Sequence, residues 1–240
     1  MTTKIEYLYD PTTHVLIPLD DMGIEGDLQI PKDRLGLVIF VHGSGSSRFS
    51  PRNRYVAGEL NRRGLATLLL DLLTEEEHQI DSETMKYRFD IPLLAGRSTR
   101  AANWARHQPV LSSLPIGLFG ASTGVAAALI TAAEMKDRIA CVVSRGGRPD
   151  LATDALGRVE CPTLLVVGGE DKTVLGLNKQ ALAKMRCMTE LHVVPGATHL
   201  FEEPSALEEV ATVAAEWFAQ HMCKAASLRK TRDSFGGTRI

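Results

Sequence analysis

The chain has 240 residues, with 27 Lys plus Arg against 29 Asp plus Glu and a formal charge of −2. With 44% apolar and 23% charged residues it has the composition of a globular domain, and its near-neutral balance excludes the basic footprint of a nucleic-acid binder. No apolar run approaches the ~18 residues of a membrane span, and the opening MTTKIEYLYDP lacks the apolar stretch of a secretory signal, so a cytoplasmic protein without a membrane partner is expected.

In chain order, HVLIPL and the more alternating IEGDLQIP come first and predict an antiparallel strand pair at one sheet edge. Six short apolar runs follow: LVIFV (37–41), ATLLL (66–70), PIGLF (115–119), IACVV (139–143), TLLVV (163–167) and LHVV (191–194). None alternates cleanly with polar residues, the pattern of strands buried on both faces of a parallel sheet. Amphipathic stretches at 53–63, 92–107, 122–135, 175–186 and 205–221 lie between or after them and predict crossover helices. The alternation predicts an α/β fold, a mostly parallel twisted sheet with helices on both faces. The polar run LLTEEEHQIDSETMKYRFDI (72–91) reads as a long irregular loop. After Ser122 the strands follow too closely for a large inserted lid domain. One domain over 1–222 is expected, with 223–240 a polar, basic, frayed tail of no catalytic role. Cys141, Cys161, Cys187 and Cys223 form no C-x-x-C pair and read as structural residues, and the scattered histidines suggest no metal site.

The chemistry concentrates at strand ends. In PIGLFGASTGVAAALI a strand ends at Gly120, the run Gly120 to Gly124 fits G-x-S-x-G, and an Ala-rich helix begins at once. A serine at such a turn is held in a strained conformation that presents its hydroxyl above the sheet edge, and the flanking glycines avoid the neighbouring strand and helix. Ser122 is the candidate nucleophile. A hydroxyl needs a base to take its proton. TLLVVGGED places Asp171 beyond a later strand and LHVVPGATHLFEEP places His199 beyond the next, the chain order Ser, Asp, His of an α/β-hydrolase triad. Glu170 is the weaker candidate for the acid. LVIFVHGSGSSR supplies a flexible loop after a strand, and the oxyanion donors are assigned as the backbone amides of Ser44 and Thr123. His42 is expected to hydrogen-bond its own loop rather than act as a base.

Taken together, HGSGSS, GASTG, VVGGED and PGATHLF resemble an α/β-hydrolase of the dienelactone-hydrolase-like group over roughly residues 14–220. VVSRGGRPDLA resembles members of that group that occur alone or joined to a phosphoribosyltransferase domain, a domain not expected within these 240 residues. Dienelactone hydrolases proper carry a cysteine where this chain has Ser122, which turns the expectation from a lactone toward a serine carboxylesterase. The resemblance implies no cofactor and a small-molecule ester as substrate, with the chain a monomer or homodimer. Three arginines emerge near the same edge, Arg48, Arg145 and Arg148. Either they are solvated or pair with Asp150 and Asp154, or one or more of them receives a carboxylate or phosphate of the substrate.

Rival readings are weaker. Gly43-Ser44-Gly45 follows a strand, but the third glycine of a dinucleotide fingerprint is replaced by Arg48, and no phosphate-binding P-loop exists. A non-catalytic sensor on the same fold, a thioesterase and a polyester hydrolase remain the alternatives to a carboxylesterase.

Overall fold

The computed structural model describes residues 12–20 and 22–236, with side chains as far as Ser227. Among the described residues eight strands form one sheet: β1 (Thr13–Pro18), β2 (Gly23–Gln29), β3 (Gly36–Val41), β4 (Leu65–Leu70), β5 (Ile116–Ala121), β6 (Ile139–Arg145), β7 (Thr163–Gly168) and β8 (Thr189–Val194). Their spatial order is β1-β2-β4-β3-β5-β6-β7-β8. The β1–β2 hairpin is antiparallel and joins β4 in antiparallel fashion, whereas β4 through β8 run parallel. The expected edge pair is therefore present, and the fold is α/β.

Six helices among the described residues connect and cover the strands: α1 (Pro51–Arg62), α2 (Glu75–Thr84), α3 (Ile91–Arg106), α4 (Gly124–Met135), α5 (Lys172–Lys184) and α6 (Ala206–Gly236). Two 3₁₀ stretches, Lys136–Arg138 and Pro149–Arg158, flank β6. Side-chain alternation in each strand feeds two cores. Leu37, Ile39, Val41, Ile116 and Leu118 pack toward α3 and α4, while Val38, Phe40, Phe119 and Val143 pack toward α1 and α6. The Phe40 and Phe119 rings meet at 4.8 Å across β3 and β5, a contact worth ~1 kcal/mol beyond its area. β3, β4, β5 and β7 are buried at every residue, as their unbroken apolar runs require. β8 departs from that expectation. It forms the far edge, so only Val194 is fully buried and Val193 is 37% exposed.

Two further expectations need correction. The segment 72–91 is not irregular throughout, because α2 occupies its first half. The backbone of α6 continues past Met222 to Gly236, so 223–240 does not begin as a frayed tail. The run KAASLRK consists mostly of good helix formers, which carry the helix on. Among the described residues no helix is long and apolar enough to cross a membrane.

Candidate active site

In the parallel register Val41 pairs with Gly120, Ala121 with Arg145, and Gly168 with Val194. The segments leaving β3, β5, β6, β7 and β8 therefore all emerge at one edge, the crevice where open α/β sheets build sites.

Ser122 sits directly after β5 with φ of +49°, a left-handed conformation uncommon for any residue with a Cβ. Its amide donates to the Arg145 carbonyl at 3.1 Å, and its own carbonyl accepts from the Arg148 amide at 3.0 Å, so the strained peptide is clamped from both sides. The two motif glycines have the expected reason. A Cβ on Gly120 would lie 2.7 Å from Val125 Cα in α4, and one on Gly124 would lie 2.3 Å from the carbonyl oxygens of Val41 and His42. Strand, turn and helix can close on the serine only without those carbons.

Asp171 and His199 meet although 28 residues separate them: His199 Nδ1 donates to Asp171 Oδ2 at 2.7 Å. The bond fixes the imidazole tautomer with Nε2 as acceptor. Glu170 turns outward to Lys172 at 3.3 Å and takes no part. His199 is half-exposed and lies over Gly146, where a Cβ would be 3.6 Å from His199 Cε1. Among the described residues no hydrogen bond joins His199 to Ser122; what links them is the 145–146 backbone, bonded to Ser122 on one side and packed under the imidazole on the other. Buried Asn178 steadies this segment by donating from Nδ2 to the Gly147 carbonyl at 2.9 Å.

The loop after β3 comes within van der Waals reach of Ser122, with a Cβ on Gly43 falling 2.9 Å from Ser122 Cβ. His42 holds that loop. Its Nδ1 donates to the Gly43 carbonyl at 2.9 Å and its Nε2 accepts from the Leu72 amide at 3.0 Å. Burial pushes its pKa below the usual histidine value, so the ring stays neutral and structural, not basic. The assignment of the Ser44 amide as a free oxyanion donor needs correction. That amide donates to Thr123 Oγ1 at 2.8 Å, because the threonine side chain reaches across between the two loops.

Two of the three arginines are also occupied. Arg48 is buried and ion-paired with Asp71, Glu25 and Asp27, while its backbone amide donates to Asp71 Oδ1 at 2.7 Å. It ties the loop to β2 and to the end of β4 and has no free fork for a substrate. Arg148 makes a bidentate pair with Asp150, both bonds at 2.8 Å. Arg145 differs. Its Nη1 is buried without a hydrogen-bond partner, and burial, with Arg52 nearby, lowers its pKa to about 10.

One cationic group beside the site was not found from sequence. Arg88 donates through Nε to Asp81 Oδ2 at 2.7 Å and through Nη2 to the Asp81 carbonyl at 2.8 Å, leaving Nη1 3.4 Å from where a Cβ on Gly45 would lie. Burial pushes the Asp81 pKa up, but bonds from the Arg88 and Tyr87 amides and the guanidinium outweigh it and leave the carboxyl below its usual value. The signal available was the capping pattern Thr74-x-x-Glu77, which would have placed a helix there.

A buried parallel sheet bearing a strained serine turn, with an acid–histidine pair at the same edge, defines an α/β-hydrolase. The family model described as "Dienelactone hydrolase family" matches residues 24–225, and the chain belongs to that family of hydrolases. A dienelactone hydrolase from Anabaena variabilis is 51% identical and superimposes with a TM-score of 0.87, over 88% of this chain and 98% of that one. Est1E from Butyrivibrio proteoclasticus, with ferulic acid bound, shares the fold at 18% identity and a TM-score of 0.74, over 87% and 99% of the two chains. A Mycobacterium tuberculosis protein with a provisional phosphoribosyl transferase name is 54% identical over 83% of this chain. The chain spans only 44% of that relative's length.

Proposed function

We propose that the chain is a serine hydrolase that cleaves small carboxylic esters, with short acyl groups or lactone-like rings, through an acyl-enzyme. The observation that carries the reading is the Asp171–His199 hydrogen bond at the edge that holds the left-handed Ser122. In the first half-reaction His199 Nε2 takes the Ser122 hydroxyl proton as Oγ bonds to the ester carbon. The carbonyl π pair moves to oxygen, where the Thr123 amide at the start of α4 receives it. Collapse breaks the carbon–oxygen bond of the ester, and His199 returns the proton to the leaving alcohol. Water repeats the sequence and frees the acid. Every proton passes through His199, and the steps need no cofactor.

The relatives support an ester over other acyl compounds only at the level of the family. The transferase name belongs to a chain much longer than this one. The test is direct. Ser122→Ala should fold normally, lose on the order of 10⁴–10⁶ in p-nitrophenyl ester turnover, and lose labelling by a fluorophosphonate. A folded variant that keeps more than about a tenth of the rate would end the assignment.

A further inference from the structure

The geometry points to the Thr123 hydroxyl as a catalytic donor to the oxyanion, with the Ser44 amide acting through it and not on the substrate. The inference rests on the serine-esterase reading of Ser122. Thr123 follows the nucleophile and occupies the N-cap position of α4, where a threonine ordinarily accepts a hydrogen bond from an amide in the first helical turn. It makes no such cap. Its Oγ1 accepts the Ser44 N–H at 2.8 Å instead. A hydroxyl carries one proton as well as its lone pairs, and accepting from Ser44 leaves that proton to be placed. The residue is only 6% exposed, and among the described residues no group accepts the proton.

An O–H held away from water without an acceptor is costly, and such a group beside a reactive serine fits a partner that arrives with the reaction. The Thr123 N–H makes no backbone hydrogen bond among the described residues either. Two donors on one residue, N–H and O–H, are thus available next to Ser122. Accepting a bond from a backbone amide also polarises a hydroxyl and strengthens its own donation. A neutral ester carbonyl gains little from this, whereas the charge of a tetrahedral intermediate gains much, so the effect belongs to the transition state.

The test uses p-nitrophenyl butyrate as substrate and a trifluoromethyl ketone, whose adduct with serine bears the same oxyanion, as the binding probe. Thr123→Val keeps the side-chain volume but removes the hydroxyl. It should lose ~10²-fold in kcat with KM within about threefold, and affinity for the ketone should fall by a similar factor. Thr123→Ser should restore kcat and ketone affinity to within about threefold of the parent. If Thr123→Val does not fold, Thr123→Ala is read in its place against Thr123→Ser. An undiminished or faster valine variant would overturn the assignment and make the hydroxyl an occupant that substrate displaces. So would a serine variant as impaired as valine, or a loss of kcat with ketone affinity intact, because either marks a structural role. Ser122→Ala separates the two levels of the claim. If it is inactive while Thr123→Val is fully active, only the Thr123 assignment fails; if it stays active, the serine reading fails and takes this inference with it.

Discussion

Asp171 carries two duties on one carboxylate. Oδ1 accepts from the Val174 amide at 3.3 Å and caps α5, while Oδ2 accepts from His199 Nδ1. Asparagine caps helices about as well as aspartate but cannot hold the imidazole in the same tautomer. Asp171→Asn should therefore leave the denaturation midpoint nearly unchanged while kcat falls ~10⁴-fold. Glu170→Gln, which alters only a contact to Lys172, should be silent in the same assay. The reverse pattern would move the acid one residue earlier. At this scale the sequence marks Ser122, Asp171 and His199 because each follows an apolar strand run, and strand ends in a parallel sheet converge. It does not mark the Ser44–Thr123 bond, which depends on a side-chain rotamer and on two loops 79 residues apart. The sequence leaves the partners of Arg48 open for the same reason, since Glu25 and Asp71 each lie 23 residues away and come together only through the β2–β4 pairing.

Among the elements, α2 is the one that hydrophobic patterning concealed. Its only buried residue is Asp81, so it has no apolar face for a periodicity to reveal. What defines it is its ends. Thr74 Oγ1 accepts from the Glu77 amide at 3.2 Å, the Glu77 carboxylate accepts from the Thr74 amide at 2.9 Å, and Met85 closes the helix in the left-handed region. Glu77 also pairs with Arg97 of α3 at 2.7 Å, which couples the cap to the next helix. Thr74→Ala should destabilise α2 locally by about 1 kcal/mol. Hydrogen exchange reads this as faster exchange of amides in α2 and around Asp81 and Arg88, with β5 unaffected. Unchanged protection of α2 would mean that the Asp81–Arg88 clasp, not the cap, holds the segment.

Across the whole molecule, the apolar runs dictate a sheet buried on both faces, and that burial fixes which strand ends share an edge. Edge position is less legible, because LHVV reads like a central strand and becomes an edge strand only when nothing pairs beyond it. The same architecture bears on substrate size. Among the described residues no separate lid domain interrupts the segments that leave the edge holding Ser122 and His199. A cavity of about 270 Å³ adjoins the loop after β3, among Leu16, His42, Ser46, Phe49, Leu73 and His78, but neither Ser122 nor His199 lines it. A buried methylene contributes about 0.8 kcal/mol, and that gain stops once an acyl chain extends beyond the loops that follow the strands. On a series of p-nitrophenyl esters, kcat/KM should be greatest for acyl chains of about two to six carbons and fall beyond them. A sixteen-carbon ester hydrolysed as efficiently as a butyrate would require an extended apolar surface at this edge, and the short-acyl assignment would give way to a lipase-like one.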